Sequence, residues 1–91
     1  MAEKIYYLHS CDEYRTSLSM ILLFIGTSQQ KLKMKISKEI EEGNMEYNDN
    51  SLSQKEQAKR FRKDWETKPH GIIDSNLKYG MFGYTYNNEE M

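Results

Sequence analysis

The chain has few of the features that mark secreted, membrane-spanning or disulfide-rich proteins. It has one cysteine, Cys11, so no internal disulfide can form, and a reducing compartment is expected. Its longest apolar run, residues 20–25, is six residues long, whereas a helix that crosses a bilayer needs about 20. The first residues lack the basic and long apolar regions of a signal peptide. The sequence therefore predicts a soluble cytoplasmic protein with no membrane partner.

An excess of one charge sign is also missing, and so are the signatures of catalysis. Lysine and arginine number 13 against 14 acidic residues, which excludes a uniformly basic nucleic-acid binder. His9 and Cys11 share one face of a predicted strand but point in parallel, and no third metal ligand accompanies them. Gly80 and Gly83 lie in a predicted strand and not in a phosphate loop. We therefore expect no enzyme activity, no catalytic residue, no metal and no cofactor.

The apolar run at residues 20–25 is the densest apolar stretch in the chain. Its length and its β-branched and aromatic residues predict a central strand buried on both faces, within a strand at 18–25. Residues 4–11 alternate in the manner of a strand, and 12–17 are expected to form a wide hairpin loop between the two. Residues 77–86 predict a third strand, whose glycines indicate a bulge or a close backbone approach.

Two capping-box sequences predict helices that begin at Thr27 and at Ser53. Apolar residues recur at helical spacing after each box. They are Leu32, Ile36 and Ile40 in the first helix, and Ala58, Phe61 and Trp65 in the second. The first helix is expected to end near Glu42, followed by Gly43 in a left-handed conformation, and the second to end before Pro69. Residues 72–73 predict a short strand or a packing plug, and residues 87–91 an acidic tail.

The predicted element order is β-β-α-α-β within a single domain, residues 1–91. The expected fold is α+β with two layers: a small, mainly antiparallel three-stranded sheet covered on one face by two helices. The other face would then lack a cover. Its candidate residues are Tyr6, Leu8, Phe82, Tyr84 and Tyr86. An exposed aromatic face predicts either a protein partner or a second copy in an isologous homodimer.

Three groups of side chains are candidate binding residues. The first is the polar loop, the second is the basic surface of the second helix, and the third is on the last strand. They are Asp12, Glu13, Tyr14 and Arg15; Lys59, Arg60, Arg62 and Lys63; and Tyr84 and Tyr86. The loop combines acids, an arginine and a tyrosine, although a solvated connection also fits it. The basic helix surface beside Trp65 suits a phosphate backbone and base stacking, although a solvated helix face also fits.

Several stretches resemble small accessory proteins of bacteriophages and of prophages of Gram-positive bacteria. They are residues 7–14, Thr27-Ser28 followed by Lys31-Leu32, residues 40–47, Phe61, and Asp64-Trp65. Many such phage proteins bind and block a component of host defence or host replication, including CRISPR nucleases. The resemblance implies a phage-derived, non-enzymatic inhibitor or modulator of a host protein, acting in the host cytoplasm. It implies no catalytic residues.

Two other functions remain open from the residues alone. One is a nucleic-acid-binding accessory protein that uses the basic second helix. The other is a dimer that sequesters a small phosphorylated ligand at an interface lined by tyrosine and arginine. A host protein, nucleic acid or a nucleotide would co-purify in the three cases, respectively.

Overall fold

The computed structural model describes residues 3–48 and 51–87. Its elements in chain order are β1 (Glu3–Ser10), a 3-10 turn (Ser17–Ser19), β2 (Ile21–Gly26), α1 (Gln29–Glu41), β3 (Glu46–Tyr47), α2 (Gln54–Thr67), α3 (His70–Asn76), β4 (Leu77–Lys78) and β5 (Gly80–Asn87). The main sheet is antiparallel with the strand order β2-β1-β5, and β3 pairs with β4 in a separate ladder. The predicted α+β fold with a three-stranded antiparallel sheet is confirmed.

The central strand is β1, so the prediction that residues 20–25 form the central strand is wrong. β2 pairs only with β1 and lies at an edge of the sheet. A bulge at Leu23 shifts the register between β1 and β2, and both Leu23 and Phe24 pack against the core. Leu22 and Ile25 remain outside it, 51% and 64% exposed. The apolar residues of β2 are therefore divided between the core, which Leu23 and Phe24 contact, and an exposed surface, so the strand is not buried on both faces.

α1 begins one residue later than predicted. Its N-cap is Ser28, whose Oγ accepts a hydrogen bond from the Lys31 N–H at 3.2 Å, in place of Thr27. The predicted apolar stripe is confirmed, because all three of its residues are fully buried: Leu32, Ile36 and Ile40. The left-handed end at Gly43 is confirmed as well, with φ at 81°.

α2 follows the sequence prediction closely. Ser53 caps it, accepting the Glu56 N–H at 3.1 Å, and Ala58 and Phe61 are fully buried. Trp65 is half-buried and stacks on His70, the first residue of α3, with ring centroids 4.2 Å apart. On the covered face of the sheet, α1 packs against β1 and β2, and α3 packs against β5. α2 packs on α1 and reaches the sheet through Trp65, whose ring centroid lies 5.5 Å from that of Phe82.

The region after α2 departs from prediction. Residues 72–73, predicted as a short strand or a plug, belong to helix α3, in which Ile73 is fully buried. The predicted strand at 77–86 is two strands, divided at Tyr79, whose φ is 67°. At Gly80 the group that comes close is a side chain and not another backbone segment, because a Cβ there would lie 2.5 Å from the Met45 Sδ. β5 reaches Asn87, and the rest of the predicted tail, 88–91, lies outside the described residues.

The aromatic residues assigned to the uncovered face mostly lie on the covered one, which corrects the prediction. Tyr6, Leu8 and Phe82 are buried under the helices, and Tyr84 and Tyr86 point the same way as these residues but are about half exposed. Both faces of β1 carry large apolar or aromatic side chains, so its alternation does not distinguish the core face from the open one. The uncovered side is here called the open face. Its residues are Ile5, Tyr7, His9, Leu22, Ile25 and Met81.

Candidate interaction surface at the edge of the sheet

The backbone of β5 defines which groups of the sheet point outward. The Phe82 N–H donates to the Asp74 Oδ1 of α3 at 3.0 Å, so it does not bond to β1. Since antiparallel pairs alternate between bonded and non-bonded, the next pair, Tyr7 with Gly83, is the bonded one. The backbone groups of Tyr7 are therefore directed at β5.

The same alternation determines the outer edge of β2. Ile25 pairs with Tyr7, whose N–H and C=O already point to β5, so the backbone groups of Ile25 face away from the sheet. Across residues 3–48 and 51–87, no loop or side chain hydrogen-bonds to these outward groups. Leu22 lies beside Ile25 on the open face, and Leu18, in the turn before β2, is fully exposed. This outer side of β2, with Leu22 and Ile25, is here called the β2 edge.

A cleft of about 480 Å³ separates β2 from the start of α1 on the covered side of the sheet. Residues 23–26 line it together with Thr27, Ser28, Lys31 and Lys35. A Cβ at Gly26 would lie 3.2 Å from the Phe24 Cζ, which places that ring directly over the glycine. The cleft volume falls within the range of about 300–1,000 Å³ that is usual for binding sites.

The cleft is positively charged. The Lys35 Nζ pairs with the Glu39 Oε1 at 2.9 Å, whereas Lys31 forms no ion pair with any described residue. Burial tends to raise the pKa of Glu39, but hydrogen bonds from Asn44 and Lys35 outweigh it and lower the pKa, so Glu39 stays ionised. The first turn of α1 contains no acidic residue, so its positive dipole end is not neutralised.

Of the predicted loop residues, Asp12 has a structural role. Its Oδ1 accepts the N–H groups of Tyr14 at 3.1 Å and Thr16 at 3.0 Å. These bonds, with the Thr16 hydroxyl, lower the pKa of Asp12. The carboxylate therefore holds the loop in shape, while Glu13 and Tyr14 are exposed.

Arg15 is likewise engaged within the fold. Its Nη1 lies 3.0 Å from the Asp74 Oδ2, and its Nη2 donates to the carbonyl oxygens of Leu77 and Gly80 at 3.3 Å. The guanidinium thus ties the loop after β1 to α3 and to the start of β5. Asp74 also accepts the Phe82 N–H, so the ion pair covers part of the outer side of β5.

The basic surface of α2 is only partly available. Lys59, Arg60 and Lys63 are exposed. The Arg62 Nη1 donates to the Ser37 Oγ at 2.6 Å and to the Glu41 Oε1 at 3.1 Å. Trp65, predicted to stack on a base, packs among Phe61, His70 and Phe82.

Tyr84 and Tyr86 lie on β5, at the opposite edge of the sheet from β2. Their rings meet edge to face with centroids 5.6 Å apart, and the Lys4 Nζ lies 4.5 Å above the Tyr84 ring. A pocket of about 240 Å³ adjoins Tyr84 and α3, with Asp74 and His70 in its lining. Burial and the nearby Lys4 lower the pKa of His70. The structure therefore does not bring the three predicted groups together at the β2 edge.

Sequence reasoning did not select Leu22, Ile25 or Lys31 as site residues. The available signal was the absence of any charge or proline from residues 18–26, because an edge strand is usually protected by one of these. The same uncharged, apolar stretch also fits a strand buried on both faces. Edge and centre differ only in strand pairing, which a single apolar run does not reveal.

Three further observations concern other kinds of site. Burial raises the pKa of the Cys11 thiol, so this thiol is mainly protonated at neutral pH. No group of three or more histidine, cysteine or acidic side chains among the described residues could hold a metal ion. The helices of the described ranges are all too short or too polar to cross a membrane.

Comparisons with known proteins provide no relative from which a function could be transferred. No protein-family model matches the chain, and neither the curated proteins nor the solved structures include a match.

Proposed function

We propose that this chain is a non-enzymatic binding protein that accepts an extended segment of a partner protein along the β2 edge. Strand addition of this kind gains main-chain hydrogen bonds from an exposed sheet edge and specificity from the flanking side chains. The observation that carries the proposal is the outward N–H and C=O of Ile25, beside the exposed Leu22 and without a described covering group.

The resemblance to phage accessory proteins supplies the class of partner. A phage-derived binder of this size would act on a component of the bacterial host, such as a defence nuclease, and would inhibit or modulate it by occupying one of its segments. The site of action would be the host cytoplasm.

The alternatives from the sequence have less geometric support. Nucleic-acid binding by α2 would have only part of the Trp65 ring available, because this half-buried ring stacks on His70, and Arg62 is already hydrogen-bonded. Sequestration of a phosphorylated ligand beside the tyrosines would have to rely on Lys4, whose Nζ lies 4.5 Å above the Tyr84 ring, because Arg15 is bound to Asp74. Both remain predictions for which co-purification of nucleic acid or of a nucleotide is the test.

The decisive experiment compares three forms of the tagged chain: the natural sequence, Ile25→Pro and Ile25→Val. Proline removes the outward N–H and shortens the side chain, and it is tolerated on a strand edge that faces solvent. Valine shortens the side chain as well but retains the donor, so the comparison of the two variants isolates the N–H. Circular dichroism and thermal melting establish that both variants fold. Each form is expressed in a bacterial host and purified, and the captured proteins are identified by mass spectrometry.

The expected result is a host protein that is retained by the natural chain and by Ile25→Val but lost from folded Ile25→Pro. Purified chain added to that protein should lower its activity, and Ile25→Pro should not. Equal retention by Ile25→Pro would contradict the proposal, because a partner strand added to β2 would need a hydrogen bond from the outward Ile25 N–H.

A further inference from the structure

We infer that the segment added at the β2 edge is a strand of alternating acidic and apolar residues, contributed by a different protein and not by a second copy of this chain. This inference depends on the proposed function and specifies the chemistry of the partner. It rests on two observations: the side of the β2 edge on the open face is apolar and exposed, and the side that faces the cleft beside α1 is positively charged.

The apolar half of the pattern follows from the open face. Leu22 and Ile25 both point to that face and are more than half exposed. A strand paired with β2 would direct every second side chain to the same face, since successive residues alternate. Apolar side chains at those positions would cover Leu22 and Ile25, and burial of apolar surface contributes roughly 25 cal/mol per Å².

The acidic half follows from the cleft on the other side. The intervening side chains of an added strand would point toward the start of α1, where Lys31 has no described ion-pair partner. Lys35 is already neutralised by Glu39, so Lys31 and the helix dipole leave the cleft with a net positive potential. A carboxylate there would gain both interactions, and the Phe24 ring offers an apolar contact for its methylene stem.

A second copy meets these requirements poorly. Pairing of β2 with itself would bring in residues 18–26 of the other chain, and this stretch contains no acidic residue. It would cover the open face but leave Lys31 and the start of α1 without a counter-charge. Charge complementarity therefore favours a foreign strand.

The test uses three synthetic peptides of about seven residues, close to the usual length of a strand. They alternate valine with glutamate, threonine or lysine, so they share the apolar half and differ only in charge. Each is titrated into the isotopically labelled full chain, and the amide signals of Leu22 and Ile25 are followed by NMR. Lys31→Gln is the test variant, and Lys59→Gln, an exposed lysine on α2, is the matched control.

The glutamate peptide should bind about threefold to tenfold more tightly than the threonine peptide, and the lysine peptide least tightly, given the strength of exposed charge pairs and helix dipoles. Lys31→Gln should remove most of this preference, and Lys59→Gln should leave it unchanged. The preference should also weaken between about 20 mM and about 500 mM salt, because exposed charges are screened.

The contrary results are distinct. Equal binding of all three peptides at β2 overturns the acidic specificity but leaves strand addition in place. Failure of every peptide to shift the Leu22 and Ile25 amides, or undiminished binding to Ile25→Pro, overturns strand addition itself. Sedimentation that shows a dimer, abolished by Ile25→Pro, overturns the choice of a foreign strand over a second copy.

Discussion

The two outer strands of the sheet, β5 and β2, differ in how their outward backbone groups are satisfied. On β5, the Phe82 N–H donates to Asp74 and the Gly80 carbonyl accepts from Arg15, so helix α3 and the loop after β1 protect the first half of that edge. On β2, the corresponding groups of Ile25 have no such partner among the described residues. Both strands are uncharged, so the difference arises from what packs beside each one.

The two edges of the sheet are therefore protected to different degrees. Natural sheets usually protect their edges with a charge, a proline, a bulge or a covering element, because an open edge pairs with other chains. This chain uses a covering helix and an ion pair at β5. At β2 the described residues supply only the bulge at Leu23, and the backbone groups of Ile25 still face outward. We interpret the unprotected edge as the binding surface.

Truncation of one leucine in β1 and one in β2 should give the largest contrast. Leu8→Ala removes a fully buried side chain and should lower the free energy of unfolding by about 2–5 kcal/mol. Leu22→Ala, at a position that is 51% exposed, should cost less than about 1 kcal/mol. Urea unfolding of both variants measures the difference. Similar losses would mean that β2 is as buried as β1, contrary to the edge position described here.

Removal of the ion pair that covers β5 should have the next largest effect. Arg15→Met keeps most of the aliphatic stem but leaves Asp74 without its charged partner, and should destabilise by about 1.5–3 kcal/mol. The control is Lys33→Met, whose partner Glu66 is 67% exposed, with an expected loss of about 0–1 kcal/mol. Equal losses in urea unfolding would show that Arg15 has no special role at this edge.

The β5 side should also respond to pH, with the smallest effect of the three. Burial and Lys4 lower the pKa of His70 below its ordinary value near 6.5, so the folded state favours the neutral ring. Its contribution to stability is present above about pH 6.5 and is lost as the pH falls through the folded-state pKa. His70→Phe keeps an aromatic ring against Trp65 and cannot titrate. The Tm of the natural chain should therefore fall more than that of His70→Phe between about pH 7.5 and about pH 5.5. An identical fall in both would remove His70 from the pH response.

The elements that the sequence predicts well are those with local physical causes. The Ser53 cap and the Leu32, Ile36 and Ile40 stripe depend on residues within three or four positions of one another, and these predictions are confirmed. The sequence predicts a strand at β2 for the same reason, because its β-branched and aromatic content is local, but the strand begins at Ile21 and not at Leu18, which lies in the 3-10 turn.

The features that were missed depend on contacts distant in sequence. Arg15 and Asp74 are 59 positions apart, so nothing near either residue indicates their pairing. The seven residues of α3 provide too few periods for an apolar pattern, and Ile72-Ile73 resembles a strand just as well. β2 lies at an edge because β5 pairs with the other side of β1 and makes β1 the central strand. The composition of β2 contains no information about that pairing.

Amide hydrogen exchange of the free monomer, measured residue by residue by NMR, tests the central comparison most directly. The Phe82 amide, bonded to Asp74, should be protected, whereas the Ile25 amide, directed outward from β2, should exchange near the rate of an unstructured peptide. The Phe24 amide, which the pairing with Leu8 directs at β1, serves as the internal reference and should be protected. Protection of Ile25 equal to that of Phe82 and Phe24 in the monomer would contradict the account, because the β2 edge would then already be covered.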